Sequence, residues 1–193
     1  MDGSTSLGGL QQKSFSSGKM FEECLNEPRR LSEGLRQMKL EEACLIATNV
    51  LAQLFPHCTR IEIAGSIRRK KPEVKDIEIL CIVAPQRMKD FVHIVNKWEK
   101  VKGEPTGKYT QRLLPEGIKL DLFIAKPDNW GLLLAIRTGS VNFSHHVLAR
   151  SWVKKGYKSV DGMLTRNGKQ ITVGEETDLF ELLEIPYIEP ENR

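Results

Sequence analysis

The sequence predicts an α+β protein: a mixed sheet flanked by helices, followed by a small α/β domain. Three observations support this. Apolar residues between Met38 and Leu54 recur at three- and four-residue spacings, which marks an amphipathic helix. Four strand-like runs follow, separated by helical or turn-forming segments, so strands and helices are not regularly paired along the chain. After Arg137 the pattern changes to one long helix and a set of short strands around Asn167-Gly168.

Residues 1–19 are rich in Gly, Ser and Gln, and they read as a flexible tail or an expression remnant. Met20 to Arg36 is weakly helical and interrupted by Pro28. The strong helix comes next, carried by Met38, Leu40, Ala43, Cys44, Ala47, Val50, Leu51 and Leu54, and Pro56 ends it. Thr59 to Ala64 is a strand, and Gly65-Ser66 is a turn. Asp76 to Val83 is a strand of almost continuous apolar character after Glu78, as expected of one buried on both faces. Lys89 to Lys100 reads as a helix, with Phe91, Val95 and Trp98 on its inner side. Tyr109–Leu114 and Ile118–Ile124 are strands joined at Pro115-Glu116-Gly117. Asn129 is the expected N-cap of a helix to Ile136. Thr138-Gly139-Ser140 turns into a helix over Asn142–Lys155. Two short strands near Tyr157 and Met163 follow, then a type I′ turn at Asn167-Gly168 and a helix headed by Glu175 to Asp178. The seam between the two regions falls near residues 136–140, giving domains 20–136 and 137–193.

The net charge of +4 over 193 residues suits a polyanionic partner and an ordinary basic surface equally well. Cys24, Cys44, Cys58 and Cys81 form no CxxC pair, which argues against a structural zinc site. Cys44 and Cys81 lie in apolar segments and are expected to be buried thiols in a reducing compartment. No apolar run reaches the roughly 18 residues of a membrane span. A cytoplasmic protein, or a nuclear one in a eukaryote, is expected.

The chemistry concentrates in Gly65–Leu80. Asp76 and Glu78 are two apart on a strand and point to the same face. Two like charges at the start of a buried strand need a cation. Hard oxygen ligands suit Mg²⁺ or Mn²⁺, which accompany phosphates. A third carboxylate would allow two ions to be held. Asp121, alone in the apolar run Lys119–Phe123, is the candidate. Gly65 lets a backbone approach a phosphate closely, Ser66 offers a hydroxyl and an amide, and Arg69 offers a planar fork. The simpler alternative is an exposed strand end paired with neighbouring lysines.

These residues resemble the family X DNA polymerases, the polymerase beta-like branch of the nucleotidyltransferase superfamily. The resemblance covers about residues 38–193. Gly65, Ser66, Arg68 and Arg69 match the palm motif Gly-Ser-x-Arg-Arg. Asp76 matches the first aspartate of Asp-x-Asp, Glu78 replaces the second, and Asp121 matches the third. Thr138-Gly139-Ser140 matches the palm–thumb junction, but Ile136-Arg137 stands where the family has an aromatic pair. The resemblance implies a nucleotidyltransferase palm followed by a thumb. It implies a catalytic trio of Asp76, Glu78 and Asp121 with two Mg²⁺ or Mn²⁺ ions, and nucleotide contacts at Gly65, Ser66, Arg69, Lys75, Gly139, Ser140, Phe143 and Ser144. Nothing in residues 1–55 supplies the family's lyase or fingers domain, so the expected form is a reduced one, similar to the small viral members.

Nucleic-acid contacts are expected from Lys119, Arg137, Arg150, Lys154, Lys155 and Arg166, because cations of this kind neutralise phosphates. His145 and His146 are adjacent on a helix and diverge by ~100°, so they do not share a ligand. Trp98 and Trp152 are expected in the core. The expected activity is DNA-templated addition of nucleotides from a dNTP or NTP to a primer or gapped DNA, by a monomer, with relaxed sugar choice. Two competing readings are a transferase with a small-molecule acceptor and a non-catalytic nucleic-acid-binding module.

Overall fold

The computed structural model describes residues 37–193. The expected tail and the weak helix before Arg36 lie outside these residues. The chain begins with β1 (Met38–Lys39), which pairs antiparallel with β3 (Glu73–Val74). This pairing keeps Met38 extended, so the amphipathic helix α1 runs Leu40–Leu54 instead of starting at Met38. Ala43, Ile46, Ala47, Val50 and Leu54 form its buried stripe. Pro56 sits within a single 3₁₀ turn, Phe55–His57, that closes the helix. Cys44 lies at the edge of the stripe and is only half-buried.

The main sheet has five strands: β2 (Cys58–Ile63), β4 (Asp76–Val83), β5 (Glu99–Gly103), β6 (Tyr109–Leu113) and β7 (Lys119–Ile124). Their spatial order is β2-β4-β7-β6-β5. Only the central β4–β7 pair is parallel; the others are antiparallel. Alternation along β4 gives the sheet two different faces. Ile77, Ile79, Cys81 and Val83 join Leu120 and Leu122 against α1 and against α3 (Met88–Val95). On the other face the chemistry is divided. Asp76 and Glu78 come first, then Leu80, which packs with Phe123, Trp130 and Leu134. Gly65–Arg68, expected as a turn, forms the short helix α2.

The expected helix to Lys100 stops at Val95, and Glu99–Gly103 becomes the edge strand β5. A side chain from a distant strand fixes this boundary. Arg112 is fully buried. Its Nε donates to the Val95 carbonyl (3.3 Å), and Nη2 donates to Asn96 Oδ1 (3.3 Å). Nη1 reaches the Lys102 and Gly103 carbonyls (3.4 and 3.3 Å). One guanidinium thus ties the end of α3 to the last residues of the edge strand.

The C-terminal region begins from α4 (Trp130–Thr138). Asn129 does not cap this helix with its side chain. Its Oδ1 accepts from the Lys126 amide (2.8 Å), closing the 3₁₀ turn Pro127–Asn129, and its Nδ2 donates to the Gly162 carbonyl (2.9 Å). The helix expected over Asn142–Lys155 is a π-helical segment, Phe143–Ala149, that continues into α5 (Arg150–Lys154). A three-stranded antiparallel sheet follows: β8 (Lys158–Val160), β9 (Met163–Arg166) and β10 (Lys169–Ile171). Asn167 and Gly168 have φ of 52° and 74°, as their turn requires. The last helix, α6 (Glu176–Leu183), opens with a capping box between Glu175 and Asp178. Phe143, Leu148, Trp152, Leu179 and Phe180 build a second core, which takes Leu132 and Ala135 from α4. Trp98 and Trp152 are buried as expected, and Trp130 is fully buried beneath the Arg60 guanidinium, 4.3 Å from its ring centroid. Among the described residues, no helix is long and apolar enough to cross a membrane.

Replacing Arg112 by alanine removes the donor that Val95, Asn96, Lys102 and Gly103 share and leaves a cavity where the buried side chain stood. The expected cost is about 3 kcal/mol. Urea unfolding should show this as a lowered midpoint with an unchanged slope.

Candidate active site

The parallel pairing of β4 and β7 places Glu78 opposite Asp121 and Asp76 opposite Lys119. Three carboxylates therefore share one face of two adjacent strands, with Lys119 beside them. Asp121 is further held by β6. Gln111 lies opposite it in register, and Gln111 Nε2 donates to Oδ1 at 2.6 Å. The Tyr109 hydroxyl donates to the same oxygen at 2.8 Å. Neither residue was expected in the site. The available signal was the alternation Tyr109-x-Gln111, which directs both side chains to the face that Asp121 occupies.

Crowding and burial oppose ionisation. The Glu78 carboxyl is pushed up to about 8, mainly by burial, then by Asp76 and Asp121, with Arg137 and Arg69 acting against the shift. The Asp76 carboxyl is raised to about 6 by burial and by Asp121, and Lys119, Arg69 and Lys75 oppose this. Lys75 itself is exposed beside Asp76.

The phosphate-turn residues are brought to the same place. Gly65 has φ of +60°, and a Cβ built on it would lie 1.8 Å from Glu78 Oε2. Glu78 thus folds onto Gly65, and the missing side chain makes room for the extra methylene of a glutamate. Ser66 Oγ is buried and has no hydrogen-bond partner among the described residues. A buried hydroxyl in that state is costly unless something outside the chain meets it.

The two motif arginines hold the junction to the C-terminal region. Arg69 Nη1 donates to the Thr138 carbonyl, and burial lowers the Arg69 pKa. Arg68 donates to both oxygens of Glu176 (3.0 and 2.8 Å) and also reaches the Thr138 hydroxyl. Glu176 is buried and accepts as well from Arg193 Nη1 (2.6 Å) and the Tyr187 hydroxyl (2.9 Å). Burial alone would raise its carboxyl; Arg68 and Arg193 overcome this and lower it. Residue type gave no warning of this role, because Glu176 reads as an ordinary helix-opening carboxylate.

The other nucleotide-site candidates divide. Gly139 (φ 64°) lies against Arg69, and Ser140 Oγ accepts from the Phe143 amide at 3.3 Å. Phe143 and Ser144, expected along the nucleotide, are buried in the second core instead. Phe143 stacks with Phe180 at 6.2 Å, and Ser144 donates to the Ile136 carbonyl at 3.0 Å. His145 is half-buried and His146 exposed, with ring centroids 6.5 Å apart.

The basic residues also divide. Lys154, Lys155 and Arg166 border one cavity of about 280 Å³, and Arg150 is exposed on the same helix as Lys154. Within the group, Lys155 is paired with Glu184 (2.8 Å), and Arg166 lies over Tyr157 (5.2 Å). Arg137 is elsewhere. Its guanidinium lies 3.9 Å from the Phe123 ring centroid and its charge acts on Glu78. It lines a cavity of about 610 Å³ bounded by Glu78, Asp121, Tyr109 and Met163.

Among the described residues, no three acidic, histidine or cysteine side chains are already drawn around a common point. Like charges account for this: Asp121 turns to Tyr109 and Gln111, and Glu78 turns onto Gly65. The donor set nonetheless fits hard divalent ions. It consists of carboxyl oxygens on neighbouring strands, two of them raised above their ordinary range by burial and by one another.

A carboxyl whose native pKa is raised above its unfolded value binds protons that the unfolded chain has released. The penalty therefore grows as pH rises from about 4, and for Glu78 it is complete above about 8. Metal-free Glu78→Gln is expected to melt roughly 5 °C above the parent at pH 8.5 and to converge with it at pH 4. Gly65→Ala drives a methyl into the Glu78 carboxylate and is expected to lower the Tm. Adding Glu78→Asp, one methylene shorter, should recover part of that loss in the same melting assay.

Residues 133–193 match the family model described as DNA polymerase beta thumb. Among solved structures, the chain is similar to Leishmania infantum polymerase beta, described as a ternary P/T complex. The TM-score is 0.66 at 17% identity, covering 93% of this chain and 88% of that one. No curated protein matches the sequence. Residues 133–193 are thus similar to a polymerase beta thumb, and the chain as a whole has a fold similar to that of a polymerase beta.

Proposed function

We propose that the protein is a DNA-templated nucleotidyltransferase that extends a primer 3′-hydroxyl, in gap filling or short-patch repair. The observation that carries this reading is the in-register face of Asp76, Glu78 and Asp121 beside the unpartnered Ser66 hydroxyl. Asp76, Glu78 and Asp121 would hold divalent Mg²⁺ or Mn²⁺. When bound, such ions supply Lewis acidity and neutralise the triphosphate.

The remaining roles belong to the chain. Ser66 donates its hydroxyl to a phosphate oxygen and so gains the partner it lacks. Gly65 admits the phosphate to the backbone. Arg69 uses one N–H on the Thr138 carbonyl and keeps others for phosphate oxygens. Asp121, whose Oδ1 accepts from Tyr109 and Gln111, would use Oδ2 toward the attacking hydroxyl. As the O3′–Pα bond forms, the Pα–O bond to the β-phosphate breaks and pyrophosphate leaves. Positioning and charge neutralisation supply most of the acceleration. Lys154, Lys155, Arg150 and Arg166 would track the nucleic-acid backbone, and Lys119 would sit at the primer end.

The test is extension of a labelled primer on a template, across a one-nucleotide gap and as a single strand, with each dNTP and NTP. Templated extension is expected, and Asp121→Ala should reduce it on the order of 10³-fold with duplex affinity unchanged. If only a small-molecule acceptor is modified, the polymerase reading fails. Running the parent and Glu78→Asp with Mg²⁺ and with Mn²⁺ should show the parent relatively better with Mn²⁺. Identical metal profiles would remove a role for the longer side chain.

A further inference from the structure

We propose that Cys58 and Cys81 form a redox pair that closes to a reversible disulfide between β2 and β4, with Cys58 as the attacking sulfur. The register places them together. Cys58 lies opposite Val83 and Ile61 lies opposite Cys81, with a bulge between Cys58 and Arg60. Val83 and Cys81 are two apart on β4, so Cys58 and Cys81 are diagonal neighbours on one face of the sheet. Cys81 is buried in an apolar cluster, and Cys58 packs against that same cluster.

Their surroundings differ in the way an attacking and a resolving thiol require. Cys58 is half-buried near the start of β2, whereas Cys81 is fully buried mid-strand. The neighbouring Cys81 thiol lowers the Cys58 pKa, whereas Cys58 and burial raise that of Cys81. This favours a thiolate at the accessible sulfur.

With a small-molecule disulfide such as oxidised glutathione, the steps balance. The Cys58 thiolate attacks one glutathione sulfur, and the first glutathione leaves as its thiolate. The Cys81 thiol then gives up its proton, and its sulfur attacks Cys58 Sγ and expels the second glutathione. Two protein thiols are oxidised to one disulfide, and one glutathione disulfide is reduced to two glutathiones. A diagonal cross-strand pair is wider than the optimum for the bond, so the product is of the easily reduced, regulatory kind.

The full-length protein is incubated folded with oxidised glutathione, quenched with acid and alkylated, and its peptides are mapped without reduction. A Cys58–Cys81 cross-link reversed by dithiothreitol is expected. In Cys81→Ser the glutathione adduct should accumulate on Cys58, whereas Cys58→Ser should leave Cys81 unmodified. Cys81→Ala serves if the serine variant does not fold. In the parent, iodoacetamide should label Cys58 at least ~10-fold faster than Cys44. Cross-links confined to Cys24 or Cys44, an adduct on Cys81 in Cys58→Ser, or equal labelling of Cys58 and Cys44 would overturn the proposal.

Discussion

Glu176 is the point on which the two halves of the molecule depend. Its carboxylate is buried, yet it is met by Arg68 from the palm motif, Arg193 from the chain end and the Tyr187 hydroxyl. Removing any one of these groups would leave an opposite charge or a polar atom buried without its partner, which is why such networks behave as a unit. Arg68 lies one residue from Arg69 and two from Ser66. The network therefore anchors the phosphate-turn helix to the thumb. Arg60 adds a second tie, with both Nη atoms on Glu175 at 2.6 and 2.7 Å. Adjacent carboxylates at the start of α6 thus hold two elements of the N-terminal region, β2 and α2.

A second constraint acts on the other side of α2. Three carboxylates on one sheet face repel one another, and the apolar end of β4 prevents them from spreading toward Leu80. Glu78 resolves this by folding into the space that Gly65 leaves open. The start of α2 therefore makes room for a carboxylate that any larger residue at Gly65 would displace. Arg137 contributes from a third direction. Held flat on Phe123, it brings positive charge to Glu78 without being one of the palm-motif arginines.

Much of this was legible in the sequence, and the reasons differ by residue. β4 was readable to its ends because Asp76 and Glu78 open an otherwise apolar run, which only a central strand with one working end would tolerate. Asp121 was readable because a lone carboxylate in an apolar strand needs a purpose. The boundary of α3 was not readable. Lys97–Lys100 continues a helical pattern locally, and the residue that stops it, Arg112, is distant in sequence. Phe143 and Ser144 are buried on the inner side of their helix, and residue type alone does not distinguish that side from an outer one. Glu176 was invisible because its partners come from three separate stretches of chain.

β4 also shows why chemistry and core can share one strand. Its odd positions, Ile77 to Val83, are apolar and lock the strand against α1 and α3. Its even positions change character midway, from Asp76 and Glu78 to Leu80. The carboxylates therefore sit on a strand whose opposite face cannot move, and the parallel register with β7 fixes Asp121 to the same frame. Loops could supply the same side chains, but they would not fix their relative positions as two paired strands do. The rigidity that the core gives to β4 keeps the three carboxyls on one frame although burial and crowding raise two of them above their ordinary range.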